Sequence, residues 1–398
     1  MGQKNKMKGA NYRTAVKMSD GMYTKEYFLK LVAASIRGDA IPSAPETIDY
    51  PRLVRLAFSN AVQSILYLSV KDKRPDGLSE ELYKKLRSSY MTNLMREASQ
   101  SEESAELREV FAAEGIDFML LKGSHLKALY PSPEMRFMVD MDILVREKDL
   151  ERARDIILSR GYHLKMNNDK DIVLIKEPFL TVEVHKALFA EEYFMHGYFL
   201  DVWTRAEKVD TNEYKMSDND LYIYTLAHLA EHYTSAGSCF RPMMDLYLME
   251  KRIPSLDFEY ITEQFRIIGI EKFAQNIRSL SKCMFEGAQK DKTMEIMENY
   301  IVLGPPVKNA DVASRAATSQ KSKAKRIFET VFPSFKHMAL KYPVLEKVPV
   351  LLPVYWVIRL FSYLFSSDKS VARHRKGLIT SDKKDADIMQ SIFKESGF

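Results

Sequence analysis

Asp140 and Asp142 stand two residues apart in an otherwise apolar run, RFMVDMDILV. On a strand, residues two apart share one face. Two carboxylates held side by side there repel each other, and burial adds a desolvation cost of roughly several kcal/mol per ion. A divalent cation offsets both costs. Mg²⁺, or Mn²⁺ in its place, suits such a donor set, because it takes oxygen ligands from carboxylates and substrate phosphates. In LTVEVH, Glu183 and His185 again share a face. Laid beside the strand of Asp140, this segment brings Glu183 into a three-carboxylate cluster. Such a cluster can hold two metal ions about 3.5–4 Å apart, the arrangement used for in-line phosphoryl displacement. Glu183 would also orient or deprotonate the attacking oxygen. His185 would face the cleft or support a carboxylate.

Lys122-Gly123-Ser124 supplies the other half of that chemistry. A strand that ends in Gly-Ser and turns at once into a helix offers backbone N–H groups and a helix N-terminus to an anion. Gly123 lets the backbone approach closely. Ser124 adds a hydroxyl. Lys122 adds a point charge or is simply solvated. Arg136 lies four residues before Asp140, so on one continuous strand it would share the face of the carboxylates and balance them or contact a phosphate. Arg241 and Asp245, four apart at a helix start, suit an ion pair.

A competing pattern is His228-Leu229-Ala230-Glu231-His232, an H-x-x-E-H run that would place both imidazoles on one helix face. With Asp245 as a third ligand it would make a zinc site of the hydrolase kind. That reading leaves Asp140 and Asp142 unexplained, and the bland alternative is a pair of histidines packed at the edge of the cleft.

The elements that must position these residues follow from hydrophobic periodicity. Residues 25–37, 50–68, 79–99 and 102–114 carry helical spacing. The period changes at Gly115. Residues 116–121 read as a buried strand, 124–130 as a short helix ended by Pro131 and Pro133, and 136–145 as a second strand. Residues 147–160 form an amphipathic helix, followed by strand-like runs at 162–166, 171–175 and 180–185. Helical spacing then returns over 218–233, 242–251, 257–267 and 270–285. The fold class is therefore α+β, with a small mixed-sheet core flanked by N- and C-terminal helical regions. The domain reading is a disordered tail (1–20), an N-terminal helical region (21–105), the core (106–190), a helical domain (191–303), a linker or mobile loop (304–325) and a C-terminal helical region (326–398).

Bulk properties narrow the function classes. In 398 residues, 46% are hydrophobic and 28% charged, which suits a folded globular chain. A net charge of +5 spread over this length gives no concentrated basic face of the kind nucleic-acid binding needs. The basic clusters Lys321, Lys323, Lys325, Arg326 and Arg373, His374, Arg375, Lys376 read as solvated surface or as contacts to an anionic partner. Two cysteines, Cys239 and Cys283, can build neither a disulfide framework nor a cysteine zinc site, and point to a reducing, cytoplasmic setting. The N-terminus lacks the apolar run of a secretory signal. In VPVLLPVYWVIRLFSYLF, Pro349 and Pro353 interrupt the start and Arg359 sits within the rest, so a membrane span is not expected. Residues 353–365 read as a core helix or as a helix in weak contact with a membrane surface.

The run LLKGSHLKALYPSPEMRFMVDMDILV, then Gly161-Tyr162 and VEVHKAL, resembles the uncharacterised nucleotidyltransferase family of the polymerase-beta-type superfamily. The resemblance extends through His228, His232 and Arg241-Pro242-Met243-Met244-Asp245-Leu246, and into YPVLEKVPVLLPVYWVIRLF. It implies a bacterial protein with nucleotide phosphates at Gly123-Ser124 and metal at Asp140 and Asp142. The third acid of the superfamily is usually Asp, and here Glu183 stands in for it. The implied activity is Mg²⁺-dependent transfer of a nucleoside monophosphate from a nucleoside triphosphate to an unknown acceptor, a small molecule or a protein. A non-catalytic nucleotide sensor on the same fold is the alternative.

Overall fold

The computed structural model describes residues 23–365 and 383–398, except 169, 236, 238, 308, 319–327, 329–330, 336–337, 340–341 and 343. The tail read at 1–20 and the two basic clusters at 321–326 and 373–376 lie outside the described residues.

The chain begins in helices: α1 (23–37), α2 (Tyr50–Ser59), α3 (Gln63–Val70) and α4 (Glu80–Ala113). The single helix expected over 50–68 is two. Ala61 takes a left-handed φ of 56°, and the Asn60 side chain caps the break by donating to the Leu56 and Val302 carbonyls at 2.9 and 3.0 Å. Conversely, the patterns at 79–99 and 102–114 join into one long helix. Ser79 caps it, accepting from the Leu82 N–H at 3.3 Å, and Glu80 and Glu81 complement its positive end.

The sheet follows: β1 (Phe118–Leu120), β2 (Met141–Val145), β3 (His163–Asn167), β4 (Asp171–Lys176), β5 (Leu180–His185), β6 (Glu207–Lys208) and β7 (Glu213–Lys215). Helix α5 (Gly123–Leu126) leaves β1, α6 (Leu150–Ser159) follows β2, and α7 (Val202–Arg205) precedes β6. The strand order is β3-β4-β5-β2-β1-β7-β6, mixed in direction. β2 runs parallel to β5 and antiparallel to β1, and β4 is antiparallel to both β3 and β5. The sequence reading missed β6 and β7, which are too short to carry a periodic signal.

The two sheet faces differ in kind. One face (Phe118, Leu120, Met141, Ile143, Val145, Val182, Val184) packs on Leu107 and Phe111 of α4 and on Ala153 and Ile157 of α6. The Phe111 and Phe118 rings meet edge to face at 5.5 Å. The other face contributes Met119 and Leu144 to a larger core. That core is built with α8 (Asp218–Thr234), α9 (Phe240–Arg252), α10 (Phe258–Ile268), α11 (Glu271–Glu286) and α12 (Lys292–Leu303). Strand alternation puts Asp142 on this second face, between Met141 and Ile143 of the first.

Within the 304–325 stretch, α13 (Ala310–Thr318) is helical and packs against the C-terminal helix Lys383–Ser396. The apolar helix Leu352–Phe365 begins next to Pro353. Among the described residues, no helix is long and apolar enough to cross a membrane. The molecule is thus an α+β fold, a mixed sheet set between helical regions.

Candidate active site

The parallel pairing of β2 with β5 sets Asp142 opposite Glu183 and Leu144 opposite His185. Both acids therefore project from neighbouring strands onto the sheet's second face. On the far side of β5, Asp171 of β4 stands opposite His185. The His185 Nε2 lies 2.9 Å from Asp142 Oδ1 and 3.7 Å from Glu183 Oε2, and its Nδ1 is 3.6 Å from Asp171 Oδ2. One ligand atom each from Asp142, Glu183 and His185 fall within 4.8 Å of one another, close enough to share a cation. Asp140, just before β2, lines the same cavity but is outside that trio.

Electrostatics separate the three carboxylates. Burial pushes the Glu183 carboxyl up to about 7, and the charges of Asp142 and Asp140 add to the rise. Burial and Asp142 likewise raise Asp140. Burial also opposes the charge on Asp142, but the His185 hydrogen bond and charge, with Lys122, hold it well below the usual carboxylate range. Like-charged, oxygen-rich and cross-strand, this donor set fits a divalent cation, which would relieve the repulsion that raises Glu183.

Lys122 is buried in the cavity wall rather than solvated, with its Nζ 4.5 Å from the centroid of the Tyr224 ring. Burial brings its ammonium down to about 7 against the pull of Asp142. Gly123 lies under a close approach of two side chains, which a larger residue would have to displace. A Cβ there would sit 2.1 Å from Met138 Sδ and 3.2 Å from Arg136 Nη1. Ser124 is not among the cavity-lining residues, and its N–H bonds the Leu121 carbonyl at 3.2 Å. His125 is half-buried with Nε2 3.0 Å from the Leu120 carbonyl.

Arg136 departs from its expected place. Pro133 opens a 3-10 turn, Pro133–Met135, and regular pairing starts only at Met141, so Arg136 lies in a loop rather than on the strand face of Asp142. Its guanidinium forks onto Asp245, Nε to Oδ1 and Nη2 to Oδ2, both at 2.8 Å, and the Tyr130 hydroxyl donates to Oδ1 at 2.8 Å. Asp245 is thus paired with Arg136 and not, as its spacing suggested, with Arg241. Arg241 donates instead to the Phe137 carbonyl at 2.8 Å, and its charge lowers the Asp140 carboxyl against the burial that raises it. Two contacts from α9 therefore pin the loop that carries Asp140.

A family model described as uncharacterised nucleotidyltransferase matches residues 46–286. The chain belongs to that family. No match was found among curated proteins or among solved structures. The match spans α2 to α11 and contains every residue placed above, from Lys122 to Asp245, in agreement with the resemblance read in the sequence.

In this chain His228, Glu231 and His232 of the H-x-x-E-H run lie on α8 and line the same cavity. The His228 and His232 rings are 4.4 Å apart, edge to face. Burial, then Lys122, holds His228 well below the ordinary imidazole range and His232 down to about 4. Gly237 closes on His232: its N–H bonds the His232 carbonyl at 2.7 Å, and a Cβ would meet Nδ1 at 2.3 Å. Among the described residues, the metal-competent grouping is Asp142, Glu183 and His185, so the α8 pair gathers no third ligand for zinc. Sequence reasoning passed over Tyr224 and Lys170, which also line the cavity. Lys170 had a signal, a cation placed directly before the strand that borders β5.

Proposed function

We propose that this protein is a Mg²⁺-dependent enzyme that moves a nucleoside monophosphate from a nucleoside triphosphate to an acceptor. The observation that carries the reading is the β2–β5 register, which sets Asp142 beside Glu183 in a cavity shared with Asp140, Lys122 and Gly123. Asp140, Asp142 and Glu183 would hold the divalent cation. When bound, the cation supplies charge stabilisation at the phosphates.

The chain's own residues do the rest. Lys122 and Gly123 hold the β- and γ-phosphates, and Arg241 reinforces their positive surroundings. His185 fixes the Asp142 carboxylate by the 2.9 Å contact. Glu183 orients the acceptor oxygen and takes its proton as that oxygen bonds to the α-phosphorus. The bond from the α-phosphorus to the bridging oxygen breaks, and pyrophosphate leaves with the electron pair. Catalysis of this kind is positioning plus charge stabilisation. The buried free thiols Cys239 and Cys283 support a reducing, cytoplasmic setting. The outward stripe Val354, Val357, Ile358, Phe361 and Phe365 supports a weak membrane-surface contact of the helix that carries it.

The test titrates Mg²⁺ with ATP, GTP, CTP and UTP against wild type and Asp140→Ala/Asp142→Ala, reading nucleotide binding and pyrophosphate release. Metal-dependent binding and release in wild type, lost in the variant, is the expected result. Binding without release assigns a sensor instead. Equal, metal-independent behaviour of the two proteins overturns the proposal.

A further inference from the structure

The cavity that holds Asp142 has a volume of about 2150 Å³. Sites for a single drug-sized ligand run to roughly 300–1,000 Å³. One nucleoside triphosphate therefore leaves space over, and helix α8 shows where that space lies. Tyr224, near its middle, carries the Lys122 ammonium over its ring. Thr234, its last residue, meets the Tyr193 hydroxyl at 2.8 Å and also lines the cavity. Ten residues at about 1.5 Å each put roughly 15 Å between those two points.

At the Thr234 end the wall changes hands. The C-terminal helix docks there, the Ser396 hydroxyl 2.6 Å from that of Tyr233 and its carbonyl accepting from Asn276 at 3.1 Å. α13 packs against both this helix and α8. These helices line the cavity with Arg315 and Lys394, and the Leu352–Phe365 helix adds Arg359. Among the described residues, these two C-terminal helices set one cavity-lining carboxylate, Asp387, against Arg315 and Lys394, while Glu192 and Glu231 line the Tyr193 and α8 side. Arg315 and Lys394 make no ion pair among the described residues. None of this wall falls within the residues matched by the family model, 46–286.

We propose that this second chamber, walled by Arg315, Arg359 and Lys394, binds a phosphate group of the acceptor. Two cations that line the cavity without an ion pair among the described residues favour an anion, and a guanidinium is suited to fork onto a phosphate. A neutral nucleobase would add no counter-charge to them. The chamber names the acceptor class, a phosphate-bearing molecule, for the transfer proposed above and in that sense rests on it. The anion site itself needs no turnover, so the two can fail separately.

The experiment titrates inorganic phosphate into wild type, Lys122→Gln and Arg315→Gln/Lys394→Gln, read by calorimetry. The substituted Arg315 and Lys394 are exposed, so the double variant should fold, and circular dichroism checks it. Two phosphate sites are expected in wild type. Lys122→Gln should lose one, and the double variant should weaken the other by tenfold or more while still binding a non-hydrolysable ATP analogue with Mn²⁺ as wild type does. Phosphate binding unchanged in the double variant overturns the proposal. So does an equal loss of analogue binding, which would give the chamber to the nucleotide. A second arm compares vesicles of phosphatidic acid and of phosphatidylcholine. Retention on phosphatidic acid alone, lost in the double variant, places the phosphate on a lipid headgroup. Loss of phosphate binding with no vesicle retention places it on a soluble acceptor.

Discussion

The two faces of the β1–β2–β5 sheet are made by the same three strands and do opposite work. On the α4/α6 face, Met141, Ile143, Val145, Val182 and Val184 are fully apolar and closed off by helices. On the other face, the residues that alternate with them include Asp142, Glu183 and His185, with Lys122 two residues past β1 at the start of α5. Strand alternation alone divides the labour. The apolar face supplies burial, and that burial holds charged groups at cross-strand distance on the other face, where left to themselves they would repel. The polar face should therefore be functionally costly and structurally tolerant to change, and the apolar face the reverse.

The largest effect that can break this contrast is at Asp142. Asp142→Asn should lower nucleotidyl transfer on the order of 10³-fold, the size expected when a charge-stabilising group is lost. Its thermal midpoint should fall only slightly, because the lost contacts to His185 and Lys122 are partly offset by relief of the repulsion with Asp140 and Glu183. A midpoint that falls as far as in a core variant would place Asp142 in the scaffold. Next is Asp245→Ala, which leaves Arg136 buried and unpaired and should cost about 3–5 kcal/mol in denaturant unfolding. Here the polar side is structural, since the Arg136–Asp245 fork ties the Asp140 loop to α9. On the apolar face, Ile143→Ala should cost about 2–5 kcal/mol through the cavity it leaves, with metal affinity retained in the folded fraction.

The smallest effect sharpens the contrast by pH. The Glu183 carboxyl is raised to about 7 in the folded protein, above its unfolded value. Its favourable contribution to metal-free stability is therefore complete below the unfolded value, near pH 4.5, and is lost as pH rises through about 7. Metal affinity has the opposite trend, because the ion competes with the proton. Wild type should bind Mn²⁺ more tightly at pH 8 than at pH 6, and Glu183→Gln should flatten that dependence. Without metal, the variant should gain stability relative to wild type between pH 6 and pH 8, since it lacks the Glu183 loss while Lys122 and His232, which act in the opposite sense, titrate in both. Calorimetry and thermal melts at the two pH values check it, and an unchanged slope in the variant would detach Glu183 from the cluster.

Much of this arrangement was legible in the residues. The Asp-x-Asp pair, the acid on a later strand and the turn at Gly123 are local patterns, and locality is what a sequence displays. The β2–β5 pairing followed because one strand had to stand beside the other for the acids to share a cation. Legibility failed where the decisive contact was long-range or short in extent. Arg136 reaches Asp245 across more than a hundred residues, and the prolines before it withhold the strand geometry assumed for it. The break at Ala61 is fixed by Asn60 bonding Val302, a contact with no local trace. The chamber beyond Thr234 is assembled from helices distant in sequence from the strands that carry the acids, so no spacing could announce it.

The central claim is that the polar face holds a divalent cation and a triphosphate together. A crystal grown with Mn²⁺ and a non-hydrolysable triphosphate tests it most directly. The account predicts an anomalous manganese peak within about 2.2 Å of carboxylate oxygens of Asp142 and Glu183, with Asp140 close by and phosphate oxygens reaching Lys122 and Gly123. Manganese bound elsewhere, or a triphosphate seated away from Asp142, would contradict it.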